Sequence, residues 1–140
     1  MRARDRLARR HECNFRDGQA RPAAKVVDFL ERTGGLHLSV ITLHEMAYGV
    51  DRAPDPVRRA KLTAWLSQLS QRFADRVITV DAAIAERAGR IRAAAAALGR
   101  PADPLDALIA ASALERNLKL ATRDVADFRN LGPELHDPWS

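Results

Sequence analysis

Short runs of β-branched and aliphatic residues alternate with segments of helical periodicity, and this alternation limits the chain to few architectures. LHLSVIT (residues 36–42), RVITV (76–80) and LKLAT (118–122) read as strands. Between and around them lie segments with apolar residues at helical spacing: AAKVVDFLERTGG (23–35), LHEMAYGV (43–50), DPVRRAKLTAWLSQLSQRF (55–73), DAAIAERAGRIRAAAAALG (81–99), DPLDALIAASAL (103–114) and VADFRN (125–130). Gly34-Gly35 and Gly99 mark helix ends, while Asp55-Pro56 and Asp103-Pro104 mark helix starts. Strands separated by helices imply an α/β fold, a central parallel sheet covered on both faces. At 140 residues the chain suits a single domain.

Charge divides the chain in two. The net charge is +5. Residues 1–25 carry Arg2, Arg4, Arg6, Arg9, Arg10, Arg16, Arg21 and Lys25 against Asp5, Glu12 and Asp17, whereas residues 26–140 hold 15 basic and 15 acidic side chains. The whole excess therefore sits at the start. Residues 1–21 show no apolar periodicity and are expected to be a poorly structured basic segment, with a domain from 22 to 140. Such a segment is either a solvated tail or an arm that contacts phosphates by counterion release. The single cysteine, Cys13, excludes an intrachain disulfide. No apolar run approaches the ~20 residues of a membrane span, nor does an apolar signal core follow the start, so a cytoplasmic protein without membrane association is expected.

Asp106 is the carboxylate that the helical pattern does not explain. At 100° per residue it falls among Ile109, Ala110 and Ala113, on an apolar face. Other acids occupy similar places, where helices begin beyond strand ends: Glu45 three residues after residues 36–42, Asp124 two after Thr122, and Asp127 one turn later. Capping accounts for each singly. Thr42 with Glu45 has the T-x-x-E spacing of a capping box, Asp103 and Asp106 fit N-cap and N3, and Asp124 with Asp127 repeats that spacing. Together they suggest more. Open parallel sheets place their working crevice beyond the carboxyl ends of the strands. Carboxylates converging there raise one another's cost of ionisation, which a hard divalent cation relieves. All-oxygen ligation favours Mg²⁺ or Mn²⁺, ions that support hydrolysis of phosphodiesters.

These residues also resemble a known family. LSVITLHEMAYGV, GRPADPLDALIAASALERNLKLATRDVADF and LHDPW resemble the PIN-domain ribonuclease toxins of bacterial type II toxin–antitoxin modules, in the VapC and FitB-like branch, from about residue 17 to the C-terminus. The resemblance implies a PIN-like α/β/α sandwich and a Mg²⁺- or Mn²⁺-dependent endoribonuclease acting on tRNA or rRNA. It further implies a homodimer silenced by a small DNA-binding antitoxin. By this resemblance Glu45, Asp106 and Asp124 are catalytic and metal-binding, with Asp127 sharing or replacing Asp124's role. Thr122 lines the site, and Arg123 is a candidate phosphate contact. Two other readings stay open: a catalytically inactive remnant that still binds antitoxin, and a basic nucleic-acid-binding module in which Arg2 to Arg10 contact phosphates and the acids only cap helices.

The start of the chain departs from the family. There the pattern has a central strand ending in a motif like LDTNVIS, whose aspartate is a principal metal ligand; here the aligned segment is ARRHECNFR and the aspartate's place falls near Ala8. His11, Glu12 and Cys13 are too close in sequence to converge on one ion. Residues 8–15 can, however, be encoded by GCT CGA CGA CAC GAA TGT AAT TTC, which read one base later gives Leu-Asp-Asp-Thr-Asn-Val-Ile-Ser. Residues 1 to about 16 are thus expected to be a shifted reading of the family's first strand, which is missing or replaced, leaving a poor nuclease. Tyr48, Trp65, Phe73 and Trp139 lie among aliphatic residues and are expected in the core or a dimer surface rather than as base-stacking platforms.

Overall fold

The computed structural model describes residues 6–8 as backbone, residue 32, residues 35–122 and residues 124–137. Its strands are β1 (Arg6–Ala8), β2 (Leu36–Ser39), β3 (Val77–Ile78), β4 (Lys119–Ala121) and β5 (Leu135–His136), and all four pairings are parallel, in the order β3-β2-β1-β4-β5. The helices are α1 (Val40–Asp51), α2 (Pro56–Arg72), α3 (Ala82–Ala97), α4 (Pro104–Glu115) and the short α5 (Val125–Phe128). The helix expected over 23–35 lies outside the described residues apart from Arg32, which is helical, and Gly35, which takes the positive φ of 71° that a helix-ending glycine permits.

Alternation along the strands sorts side chains onto two helical layers. Leu36 and Leu38 of β2 and Val77 of β3 pack with Met46 and Val50 of α1 and with Leu62, Leu69 and Phe73 of and beyond α2. Their neighbours Ile78 and Leu120 face the other way, into a cluster with Ile84 and Ala88 of α3, Ile109, Ala110 and Ala113 of α4, and Phe128 of α5. The result is the expected α/β/α sandwich. Phe73 is core and Trp65 packs on the same cluster, whereas Tyr48 is exposed, its hydroxyl accepting a hydrogen bond from Arg52 at 2.8 Å; Trp139 lies outside the described residues.

Two expectations need correction. The strand read over 36–42 stops at Ser39, and α1 starts at once. Ser39, not Thr42, is the N-cap: its side chain accepts from the backbone N–H of Ile41 at 3.0 Å, and Thr42 is a buried residue inside the helix. A β-branched run can serve either element, and a serine acceptor at its middle decides for a cap. The second correction concerns residues 1–21, where no strand is expected; Arg6–Ala8 pairs with both β2 and β4 at the centre of the sheet. Parallel β2 and β4 each offer this position a row of backbone donors and acceptors, which any backbone can satisfy whatever its side chains. The rest of 1–21 lies outside the described residues.

Helices α3 and α4 form an antiparallel pair, tied by Arg87 to Glu115 and by Arg116 to Asp81 at 3.3 Å. Asp81 also N-caps α3, accepting from the N–H of Ile84 at 2.9 Å. That hydrogen bond, assisted by Arg116 and only partly opposed by desolvation, holds the Asp81 carboxyl below its ordinary value of 3.8. The folded state thus keeps Asp81 ionised to lower pH than the unfolded chain does. Its stabilisation is complete above the unfolded pKa and fades as pH falls through the folded one. Urea midpoints measured from about pH 6 down to about pH 3 should therefore decline less steeply in Asp81→Asn than in the parent; equal slopes would contradict the assignment.

Candidate active site

Asp106 and Asp124 each owe their position to a helix start, whereas Glu45, expected in a capping box with Thr42, lies in the second turn of α1 because the cap is Ser39. Glu45 lies on α1, which leaves the carboxyl end of β2 without a loop, and Ile41 in the first turn of that helix packs into the α4 cluster. Helix α4 feeds β4 through a tight turn at Arg116-Asn117, where Asn117 has φ 56°. A helix that packs on a sheet and turns directly into one of its strands runs against that strand. The N-terminal end of α4, with Asp106, therefore points toward the carboxyl edge. Asp103 caps it, its side chain accepting from Leu105 and Asp106 N–H groups at 2.8 and 3.1 Å, and Pro104 takes the first turn, as the sequence implies.

Asp106 is only 5% exposed, and Ile109, Ala110 and Ala113 around it are fully buried, so the sequence reading of an acid on an apolar face holds. Asp124 follows the end of β4, half-buried at the N-cap position of α5, and its own side chain makes no capping hydrogen bond. Its backbone N–H donates to Thr122 Oγ1 at 2.9 Å. Thr122 is fully buried at this strand end and shapes the turn that presents Asp124. Asp127 lies on the exposed side of α5. Arg123 lies outside the described residues.

Three hydroxyl residues are fully buried near the carboxyl ends of strands: Ser39 closes β2, Thr42 lies in the first turn of α1, and Thr122 follows β4. Sequence reasoning missed Ser39; its signal was a polar residue interrupting a strand that runs straight into a helix. The donor types, hard oxygens only, suit Mg²⁺ or Mn²⁺. Their grouping does not: among the described residues no three His, Cys, Asp or Glu side chains are placed together so as to hold a metal ion. Glu45, Asp106 and Asp124 therefore share an edge of the sheet without completing a cation site.

Known proteins supply the comparison. The PIN domain family matches residues 19–132. Over 121 residues the chain is 32% identical to the tRNA(fMet)-specific endonuclease VapC of Shigella flexneri, spanning 86% of this chain and 87% of that protein. It is 30% identical over 121 residues to toxin FitB of Neisseria gonorrhoeae, spanning 84% and 87%. Among solved structures, a chain in the crystal structure of FitAcB from Neisseria gonorrhoeae superposes with a TM-score of 0.79 at 27% identity, covering 96% of this chain and 98% of that one. A chain of DNA-bound VapBC from Salmonella typhimurium gives 0.72 at 28% identity, covering 95% and 97%. No helix among the described residues is long and apolar enough to cross a membrane.

Proposed function

Because the chain belongs to the PIN-domain family and is homologous to the VapC and FitB toxins, we propose that it is an endoribonuclease toxin of a type II toxin–antitoxin module, weakened by the residues at the end of β1. The observation that carries this reading is the buried Asp106 at the start of α4, set toward the same sheet edge as Glu45 and Asp124. A carboxylate in the first turn of a helix, on a face turned to its neighbours, is of the donor type that a hard divalent cation takes. Glu45, Asp106 and Asp124 are the proposed ligands of Mg²⁺ or Mn²⁺, and Thr122 holds Asp124 in place. Such an ion supplies charge stabilisation at a phosphoryl oxygen. Where the family resemblance implies an aspartate at the end of the first strand, this chain has Ala8 followed by Arg9 and Arg10.

The proposed substrate is tRNA or another structured RNA, in keeping with the activity named for the Shigella flexneri relative. The proposed protein partner is a small DNA-binding antitoxin, since the similar structures include FitAB bound to a DNA fragment and DNA-bound VapBC; a homodimer and a cytoplasmic location complete the reading. The same incomplete acidic edge favours a second reading, a protein that keeps its antitoxin surface and has lost hydrolysis. One experiment separates them. Purified chain in excess over labelled tRNA, with Mn²⁺, is expected to cleave slowly, and EDTA or Asp106→Asn is expected to abolish cleavage. No cleavage at all supports the inactive antitoxin binder, and cleavage that survives both treatments contradicts the metal assignment.

A further inference from the structure

Tyr48 is exposed where nothing in the packing calls for a ring. Phe73 and Phe128 are buried and Trp65 packs partly on the first cluster, whereas Tyr48, expected in the core or a dimer surface, keeps 58% of its surface in water. Its hydroxyl accepts a hydrogen bond from Arg52 Nη1 at 2.8 Å, while the guanidinium carbon lies 5.5 Å from the ring centroid. Arg52 therefore meets the ring at its hydroxyl end. The contact restrains the ring's orientation without covering its faces, which suits them to take another flat group.

The ring belongs to a row that starts at the candidate site. His44, Tyr48 and Arg52 follow one another at a spacing of four, so they lie along one side of α1 and its C-cap, about 12 Å from end to end. His44 is exposed, and its Nδ1 stands 3.8 Å from Oε2 of Glu45. At the other end of the row the charge is positive: residues 51–61 carry Arg52, Arg58, Arg59 and Lys61 against Asp51 and Asp55. The remaining exposed positions of α1 are Ala47 and Asp51, neither of which offers a large aliphatic side chain. A helix face that docks into a protein groove presents aliphatic anchors at this spacing. Two rings and a guanidinium are instead groups on which nucleobases stack and which phosphates contact.

We infer that His44, Tyr48 and Arg52 form a binding row for single-stranded RNA, which leads an unpaired stretch of the substrate to the sheet edge beside Glu45. The identity of the polymer rests on the nuclease reading above, whereas the row itself stands on exposure, spacing and charge. Tyr48 takes a base on its open face, and Arg52 contacts a phosphate while keeping the ring in place. His44 receives the neighbouring base, nearest Glu45. A ring stacks any base once that base is unpaired, so the row selects loops and single strands over a duplex rather than a particular sequence.

The test measures binding apart from cleavage, in EDTA, by fluorescence anisotropy of a labelled oligouridine of about twelve nucleotides. Tyr48 and Arg52 are exposed, so their variants keep the parent's melting profile. Tyr48→Ala is expected to weaken binding by at least about fivefold, and Tyr48→Phe, which keeps the ring, by less than about threefold. Arg52→Ala should weaken it too and lower the slope of log affinity against log salt by about 0.7, one phosphate contact on a single strand, while Arg52→Lys keeps that slope. The same strand annealed to oligoadenosine should bind more weakly than the free one. Unchanged affinity and slope in both alanine variants overturn the inference. So do alanine variants that bind RNA as the parent does but lose self-association on light scattering, since the face then belongs to a second copy of the chain. Row-dependent binding in a chain that cleaves no tRNA supports the row together with the inactive reading. Cleavage of tRNA by a parent whose row variants bind unimpaired overturns the row and leaves the nuclease reading standing, and a parent that neither binds nor cleaves RNA overturns both.

Discussion

Phe128→Ala is expected to destabilise the fold by about 3–5 kcal/mol, the range for emptying a fully buried aromatic site. Phe128 is the last residue of α5 and has no exposed surface; it packs in the cluster that holds Ile109, Leu120 and Leu131. A helix of four residues cannot hold itself, so this ring anchors the segment that begins with Asp124. Urea unfolding followed by circular dichroism measures the loss. A change under about 1.5 kcal/mol would mean that the cluster collapses around the missing ring, and that α5 is held by something else. Cleavage, where measured below the unfolding transition, should fall as well, because Asp124 loses its support.

The second large effect separates the two acids that the sequence leaves interchangeable. On the proposed nuclease reading Asp124→Ala is expected to reduce cleavage by more than about 100-fold, because it would remove a cation ligand and with it several kcal/mol of charge stabilisation. Asp127→Ala is expected to change it by less than about threefold, the effect of losing an exposed first-turn carboxylate worth a few tenths of a kcal/mol. Asp124 is half-buried directly after β4 and oriented by Thr122, whereas Asp127 is exposed. Enzyme-excess kinetics on labelled tRNA measure both. The reverse order would move the fourth acidic role to Asp127.

Why some of this was legible in the chain and some was not has physical reasons. The starts of α2 and α4 were readable because Asp-Pro pairs leave little choice of conformation, and Asp106 was readable because helical periodicity puts it on an apolar face. The boundary between β2 and α1 was not: residues 36–42 suit either element, and only tertiary packing, with Ser39 as cap, ends the strand where it does. β5 is two residues long and pairs only with β4, so no local signal announces it. β1 was the least legible, since Arg6-Leu7-Ala8 has neither the apolar run nor the β-propensity of a central strand, and its place follows from its two neighbours. Of the candidate site, the positions of Asp106, buried on an apolar helix face, and of Asp124 and Thr122, just beyond β4, were legible from periodicity and strand ends, while their roles are those that the family resemblance implies. Sequence reasoning took Thr42 for a cap and passed over Ser39.

The most direct measurement is the single-turnover rate of tRNA cleavage in Mn²⁺ by this chain, beside the VapC relative from Shigella flexneri under the same conditions. A ligand lacking at the end of β1 predicts a rate lower by more than about 100-fold, with the residual activity lost in Asp106→Asn. A rate within about tenfold of the relative's, likewise abolished by Asp106→Asn, would contradict the account. It would show that Glu45, Asp106 and Asp124 suffice without a carboxylate on the central strand.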